Sequence, residues 1–127
     1  MIEKLARSAL LASCVATALA SMAAPVSASR VPSPSEASGI RYAIAHDPRT
    51  CCGRGRYRVV HIRVSSVDRS FATATVDPSS KAYQGADVLL WRGTKRWAVI
   101  DAGTDFLGCD YVTAAVRKDL FGTTVCP

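Results

Sequence analysis

The sequence predicts an α+β fold, in which a four-stranded antiparallel sheet is flanked by an N-terminal and a C-terminal helix and stabilised by disulfides. Short apolar runs separated by turn residues fill the middle of the chain, and apolar residues at helical spacing lie towards both ends. Cysteines provide the third observation, because an even number of them follows the first 28 residues. A length of 127 residues suits one small domain and excludes a barrel of eight strand–helix units.

The first 28 residues have the pattern of a secretory signal peptide. Lys4 and Arg7 precede an uncharged stretch that spans residues 8–29 and ends in small side chains. We expect cleavage before Ser29, export of the remaining chain and no membrane span after cleavage. A retained membrane helix is the alternative, but Pro25 and the many alanine and serine residues make this stretch weakly hydrophobic.

Lipid attachment is a further alternative for the same segment. Residues 11–14, Leu-Ala-Ser-Cys, are similar to a bacterial lipobox, in which the cysteine becomes the lipidated first residue. The apolar segment before Cys14 covers only residues 8–13, which is short for a signal sequence, and the uncharged stretch continues beyond it. Free secretion is therefore the preferred prediction, with a lipid anchor at Cys14 as the alternative.

A flexible tether is predicted over residues 29–36, because prolines and serines dominate this segment. The single α+β domain then spans residues 37–127. Ser35 or Ser38 is the candidate cap of its first helix, which ends at the Asp-Pro pair at 47–48. The apolar residues at helical spacing in this helix are Ala37, Ile40, Ala43 and Ile44.

Four strands follow the first helix. The clearest alternation places Val60, Ile62 and Val64 on one face of the first strand. The second strand is predicted over residues 71–76, with Ala72, Ala74 and Val76 on one face. The third and fourth strands are predicted over 88–91 and 96–101 and form a hairpin. Trp91 and Trp97 flank the hairpin turn, which predicts a cross-strand aromatic pair that packs on the sheet.

A closing helix is predicted near residues 112–121. Thr113 is its candidate cap and Gly122 its candidate end. Three carboxylates, Asp101, Asp105 and Asp110, lie between this helix and the last strand, among glycines. Aspartate and glycine after a strand are ordinary turn residues, so no acid–base pair is predicted there. A calcium loop is the weaker alternative, because the spacing and the closing glutamate of an EF-hand are missing. The apolar stripe of the helix consists of Val112, Ala115, Val116 and Leu120.

The cysteines of the exported chain are Cys51, Cys52, Cys109 and Cys126, and they predict two disulfides. Four cysteines allow three connectivities, and ring strain disfavours a direct bond between Cys51 and Cys52. His46 and Asp47 lie near this pair, but adjacent thiols do not have the spacing of a zinc site, so no metal is predicted. A nucleophilic pair of Cys52 and His61 is not favoured, because it needs a free thiolate.

A glycine-punctuated loop before the first strand contains four candidate anion-binding residues. They are Arg49, Arg54, Arg56 and Arg58. Guanidinium groups form planar, bidentate contacts with phosphate and carboxylate, so the loop is a candidate site for an anionic partner. A solvated loop that keeps the protein soluble is the alternative. Tyr57 is the only aromatic residue in the loop, which gives poor support for nucleic-acid binding by stacking.

The second half of the chain resembles small secreted proteins of actinobacteria, over roughly residues 57–126. The shared features are a strand beginning at Trp97, a Gly-Thr turn at 103–104, a Gly-Cys pair at 108–109, a helix over 116–121 and a final Cys126. Relatives often have proline where this chain has Thr113. The resemblance implies export, this fold and a Cys109–Cys126 bond, which leaves Cys51 and Cys52 vicinal or partly free, and it implies no catalytic residue.

The sequence therefore favours a small secreted, non-enzymatic binding protein. The expected partner is an anionic cell-surface polymer or an extracellular protein, and no cofactor or specific nucleic acid is expected. A secreted inhibitor of an extracellular enzyme is the second hypothesis. A small hydrolase is the third, because no nucleophile, base and orienting residue occur together in the sequence.

Overall fold

The protein is a two-helix, four-stranded α+β domain, as the sequence predicts. The computed structural model describes residues 28–50, 56–81 and 84–127. Neighbouring strands pair antiparallel in the order β1-β2-β3-β4, so β1 and β4 are the two edges of the sheet. Within the described residues, none of the helices has the length and apolar character needed to cross a membrane. The elements are α1 (Pro34–His46), β1 (Tyr57–Val64), β2 (Phe71–Pro78), β3 (Ala86–Arg92), β4 (Trp97–Gly103) and α2 (Ala114–Phe121).

Helix α1 begins earlier than predicted, within the segment expected to be a flexible tether. Ser33 caps the helix, and its hydroxyl accepts a hydrogen bond from the backbone N–H of Glu36 while the Glu36 carboxylate accepts one from the backbone N–H of Ser33. Arg30 donates two hydrogen bonds to the same carboxylate, and its backbone pairs with that of Val64. These contacts order the segment and correct the prediction of a tether over residues 29–36.

The main core lies between α1 and one face of the sheet, which we call the α1 face. Ile40 and Ile44 are fully buried there, and the sheet contributes small or β-branched residues opposite them. The predicted face of β2 is confirmed, since Ala72, Ala74 and Val76 all lie in this cluster. The small side chains on β2 thus face α1 within the same cluster as Ile40 and Ile44.

A β-bulge interrupts β1 and corrects its predicted face. Val60 pairs with Thr75, but the next paired residue is Arg63, opposite Thr73. The bulge includes His61, which has a positive φ of 51°. Because the extra residue reverses the alternation, Val60 lies outside the α1-face cluster that contains Ile62 and Val64.

Helix α2 covers part of the opposite face of the sheet, which we call the α2 face. Leu89 packs with Leu107, Val116 and Leu120, whereas its neighbours in β3, Val88 and Leu90, belong to the α1-face core. Successive strand residues point to opposite faces, so the two helices lie on opposite sides of the sheet. Thr113 and Gly122 are the N-cap and C-cap of α2, as predicted. Ala115, which was predicted to lie on the apolar stripe of α2, is exposed. Arg117, which was not part of that stripe, is buried.

A disulfide joins Cys109, just before α2, to Cys126, just after it. The predicted Cys109–Cys126 pairing is thus confirmed. Cys51 and Cys52 lie outside the described residues. The bond closes a segment of the chain around α2 and ties the loop after β4 to the C-terminus.

Candidate functional site

Arg49, a predicted anion-binding residue, is engaged within the fold. Its Nη2 donates a hydrogen bond of 2.6 Å to the carbonyl of Val99 in the edge strand β4. Its Nε lies 3.1 Å from the Asp47 carboxylate, and this pairing raises the pKa of Arg49 and lowers that of Asp47. Arg49 therefore stabilises the edge of β4, and its guanidinium is already occupied.

The other predicted arginines lie elsewhere. Arg58 is on β1, at the opposite edge of the sheet from the β4 contact of Arg49, and it pairs with Asp77 at 2.8 Å. Arg56 is exposed at the start of β1, and Arg54 lies outside the described residues. The structure consequently places Arg56 and Arg58 near each other and Arg49 apart from them.

A groove of about 600 Å³ lies between α1 and the β3–β4 hairpin. Trp97 forms part of its lining and packs against Gly39 of α1, where an added Cβ would lie only 2.9 Å from the indole Cδ1. Tyr42 and His46 stack on each other along the helix side, with ring centroids 3.9 Å apart. We call this the α1–β4 groove. Its lining includes Glu36, Gly39, Tyr42, His46, Asp47, Arg92, Lys95, Arg96, Trp97 and Val99.

Charge in the α1–β4 groove is unevenly compensated. The acidic residues Glu36 and Asp47 are each paired with an arginine. The hydrogen bonds from Arg30 and Ser33 lower the pKa of Glu36 to about 2. Three exposed cations of the hairpin, which we call the basic turn, form no ion pair within the described residues. The basic turn consists of Arg92, Lys95 and Arg96.

Sequence reasoning assigned the hairpin turn but missed this site. The available signal was three cations within five residues, next to two tryptophans. The predicted aromatic pair is wrong, because Trp91 pairs with Ala98 and Trp97 pairs with Arg92. Trp91 lies on the α2 face and is 45% exposed, whereas Trp97 packs into the α1-face core.

The edge of β4 beside the groove has backbone groups that face away from the sheet. Gly93 N–H donates to the Arg96 carbonyl at 3.0 Å, which makes these two the first hydrogen-bonded pair of the hairpin. Since antiparallel pairs alternate, Trp97 and Val99 occupy non-hydrogen-bonded positions and direct their N–H and C=O groups outward. The bond from Arg49 to the Val99 carbonyl agrees with this direction.

A second groove, of about 460 Å³, lies on the part of the α2 face between the sheet and helix α2. Its polar lining includes two arginines, of which Arg117 is only 6% exposed. Asp87 accepts a hydrogen bond of 2.7 Å from Thr75, and Thr73 donates one to the Val88 carbonyl. We call this the α2-side groove. Its lining includes His61, Arg63, Thr73, Thr75, Asp87, Asp105, Phe106, Arg117, Phe121 and Val125.

The carboxylates at the end of β4 and in the loop after it form local contacts or face solvent. Asp101 accepts hydrogen bonds from the backbone N–H groups of Ala102 and Gly108, at 3.0 and 2.9 Å, and so holds the loop that leads to Cys109. Asp105 and Asp110 are exposed. In the described part of the chain, no group of histidine, cysteine and carboxylate side chains is arranged to hold a metal ion.

Comparison with protein-family models, with curated proteins and with solved structures finds no match to this chain.

Proposed function

We propose that the protein is a secreted, non-enzymatic binding protein whose α1–β4 groove takes an extended acidic polypeptide segment of an extracellular partner. Export is supported by the signal-peptide pattern of residues 1–28, with cleavage before Ser29, and by the resemblance to small secreted actinobacterial proteins. The Cys109–Cys126 bond suits an oxidising compartment.

The preference for an acidic partner rests on the uncompensated basic turn. Arg92, Lys95 and Arg96 have no carboxylate partner among the described residues, while the two acidic residues of the groove have arginine partners already. The groove therefore presents net positive charge to an incoming segment. Complementary charge of this kind speeds association and excludes basic segments.

The preference for an extended segment rests on the edge of β4, and this single observation is the main support for the proposal. Trp97 N–H, Trp97 C=O and Val99 N–H point outward at the mouth of the groove. A polypeptide strand that pairs with these groups continues the sheet by one strand, a common mode of peptide recognition. Its alternate side chains would then lie over Trp97 on one side and near the basic turn at the end.

A peptide titration with two matched variants tests this proposal. The probe is a synthetic peptide of alternating Glu and Val, and the control peptide has Lys in place of Glu. We expect the acidic peptide to bind with a salt-dependent affinity and to shift the backbone amide resonances of Trp97 and Val99. Changing Arg92, Lys95 and Arg96 together to Ser should weaken binding about tenfold or more, since three charge contacts are lost.

The matched control changes Arg54, Arg56 and Arg58 together to Ser, which removes the same charge from the loop before β1 and the start of that strand. Binding of the acidic peptide should survive in this variant. Equal loss in both variants would reduce the effect to net charge and refute a groove-specific site. Retention on a heparin column is measured in parallel. If only the loop variant loses retention there and the acidic peptide does not bind the wild-type protein, the ligand is an anionic polymer bound by the loop, and the groove proposal fails.

A further inference from the structure

We propose that the α2-side groove is a second binding site, which takes a small organic anion with a carboxylate or phosphate group at Arg117. The site is separate from the α1–β4 groove, because it lies on the opposite face of the sheet.

Arg117 is a buried cation that lacks an anionic partner. Its Nη2 donates a hydrogen bond of 2.7 Å to the Thr124 carbonyl, and its Nε is buried with no hydrogen-bond partner. None of the ion pairs formed by the described residues includes Arg117. A charge held away from water in this way is unfavourable unless an opposite charge compensates it, so Arg117 is the residue of this groove at which an anionic group would gain most.

The nearest acidic residue along the helix does not fill this role. Asp119 lies two positions further along α2, and residues two apart face different sides of a helix. Its Oδ2 accepts hydrogen bonds of 2.8 Å from the Ser65 hydroxyl and the Ser66 backbone N–H. Asp119 thus anchors α2 to the turn after β1 through Oδ2. Its Oδ1 is buried without a hydrogen-bond partner, but it forms no ion pair with Arg117, whose Nε stays unpaired among the described residues.

Backbone strain is concentrated around the same groove. Among the described residues, His61 and Phe106 are the two non-glycine residues with positive φ, at 51° and 54°, and both line the α2-side groove. They come from separate segments, β1 and the loop after β4. Residues in such strained conformations tend to cluster at binding and catalytic sites, where the surrounding structure maintains them.

The remaining lining indicates what kind of anion fits. Arg63 adds a second cation, although its Nε and Nη2 donate to Ser29. Asp87 and Asp105 also line the groove, so a long polyanion would meet repulsion, whereas a single anionic group at Arg117 would not. Phe106 and Val125 are 55% and 62% exposed at the rim, which suits a ligand with an apolar part beside its charged group.

The side-chain Nε–H resonance of Arg117 provides a direct test. The protein is titrated with benzoate, phenyl phosphate and inorganic phosphate. We expect at least one organic anion to shift the Arg117 Nε–H signal and to raise the melting temperature. A response to benzoate alone identifies a carboxylate ligand, and a response to phenyl phosphate alone identifies a phosphate ligand. An Nε–H signal unmoved by all three probes would overturn the proposal, and a response to inorganic phosphate alone would mean an adventitious ion only.

Variants separate the site from folding and from the peptide groove. Arg117→Lys should weaken binding tenfold or more, since an ammonium group cannot reproduce the paired hydrogen bonds that a guanidinium forms with a carboxylate or phosphate. Phe106→Gly keeps the buried Arg117 cation, removes the aromatic part of the rim and relieves the strain of a positive φ. It should therefore weaken the binding of the aromatic anions without unfolding the domain. Lys118→Gln, exposed on the same helix, is the control and should bind normally. The triple serine variant of the basic turn should also bind normally, so failure here and failure of the peptide site are distinguishable.

Discussion

Arginine side chains stabilise the two edges of the sheet. Arg41 donates to the Val59 carbonyl of β1 at 3.0 Å, and Arg49 donates to the Val99 carbonyl of β4 at 2.6 Å. Unpaired strand edges invite association with other chains, and a charged side chain bound to the edge reduces that risk where it binds. At β4 the bond from Arg49 occupies the Val99 carbonyl and leaves the outward groups of Trp97 and the Val99 N–H to the strand proposed above. Arginines that are neighbours in sequence therefore differ in role: some have side chains bound within the fold, and others are free to bind a ligand. Contacts with strands that are distant in sequence determine the role of each arginine.

The carboxyl group of Glu36 makes the stability of the fold depend on pH. Its pKa is lowered from 4.5 to about 2 by hydrogen bonds from Arg30 and Ser33. A carboxyl group with a lowered pKa in the folded state stabilises the fold above its ordinary pKa, and this contribution is lost as the pH falls from about 4.5 towards 2. We expect Glu36→Gln to reduce the free energy of unfolding by about 1–2 kcal/mol at pH 7, a value discounted for the partial exposure of Arg30.

Denaturant unfolding of the two proteins as a function of pH measures this effect. The difference between wild type and Glu36→Gln should shrink to a few tenths of a kcal/mol at pH 2, where about half of the folded wild-type carboxyl groups and nearly all of the unfolded ones are protonated. Comparison with the variant removes the parallel contribution of Asp47, whose pKa is lowered as well. A difference that is the same at pH 2 and pH 7 would contradict an electrostatic origin.

At the level of elements, α1 and β4 meet at one close contact. Gly39 allows the indole of Trp97 to lie against the helix backbone, and an added Cβ would approach Trp97 Cδ1 to 2.9 Å. Gly39→Ala improves helix propensity by about 1 kcal/mol, but overpacking against a ring costs about 1–3 kcal/mol. We expect a net loss of about 1 kcal/mol or a displaced indole, measured by thermal unfolding and by the change in tryptophan fluorescence.

Ser38→Ala is the matched control for that substitution, because Ser38 is exposed on the same helix. It gains helix propensity without a new contact, so it should stabilise the domain by a few tenths of a kcal/mol. If Gly39→Ala stabilises as much as Ser38→Ala and leaves the fluorescence unchanged, the close contact between the helix and Trp97 is refuted.

The helices and strands were largely predictable from the sequence. Where the structure differs from the prediction, the cause is either a local feature of the chain or a contact between residues distant in sequence. The start of α1 was readable, since Ser33, Pro34 and Glu36 form a capping box with proline at the first helical position. The bulge at His61 was not readable, because a strand pattern alone does not reveal an extra residue opposite β2. The role of Arg49 depends on Val99, 50 residues away in sequence, and no local pattern predicts that contact.

At the scale of the whole molecule, the two sides of the sheet differ in how much core they contain. Among the described residues, ten buried hydrophobic residues form the α1-face cluster and four form the α2-face cluster. The disulfide around α2 lies on the side with the smaller cluster. Small domains bury a limited fraction of their surface and depend on such crosslinks for stability. The Cys109–Cys126 bond therefore compensates for the thin packing of α2.

Removing that bond should loosen α2 before the rest of the domain. We expect the double variant Cys109→Ser and Cys126→Ser to lose about 3 kcal/mol, because the bond closes a loop with a sequence separation of 17 residues. Urea unfolding measures the loss, and amide hydrogen exchange locates it. Exchange should accelerate first at α2 amides such as that of Leu120, while amides of α1 such as that of Ile44 stay protected, because α1 packs on the larger cluster. Uniform acceleration in both helices would mean that the two layers unfold as one unit, and the proposed division of the core would then be wrong.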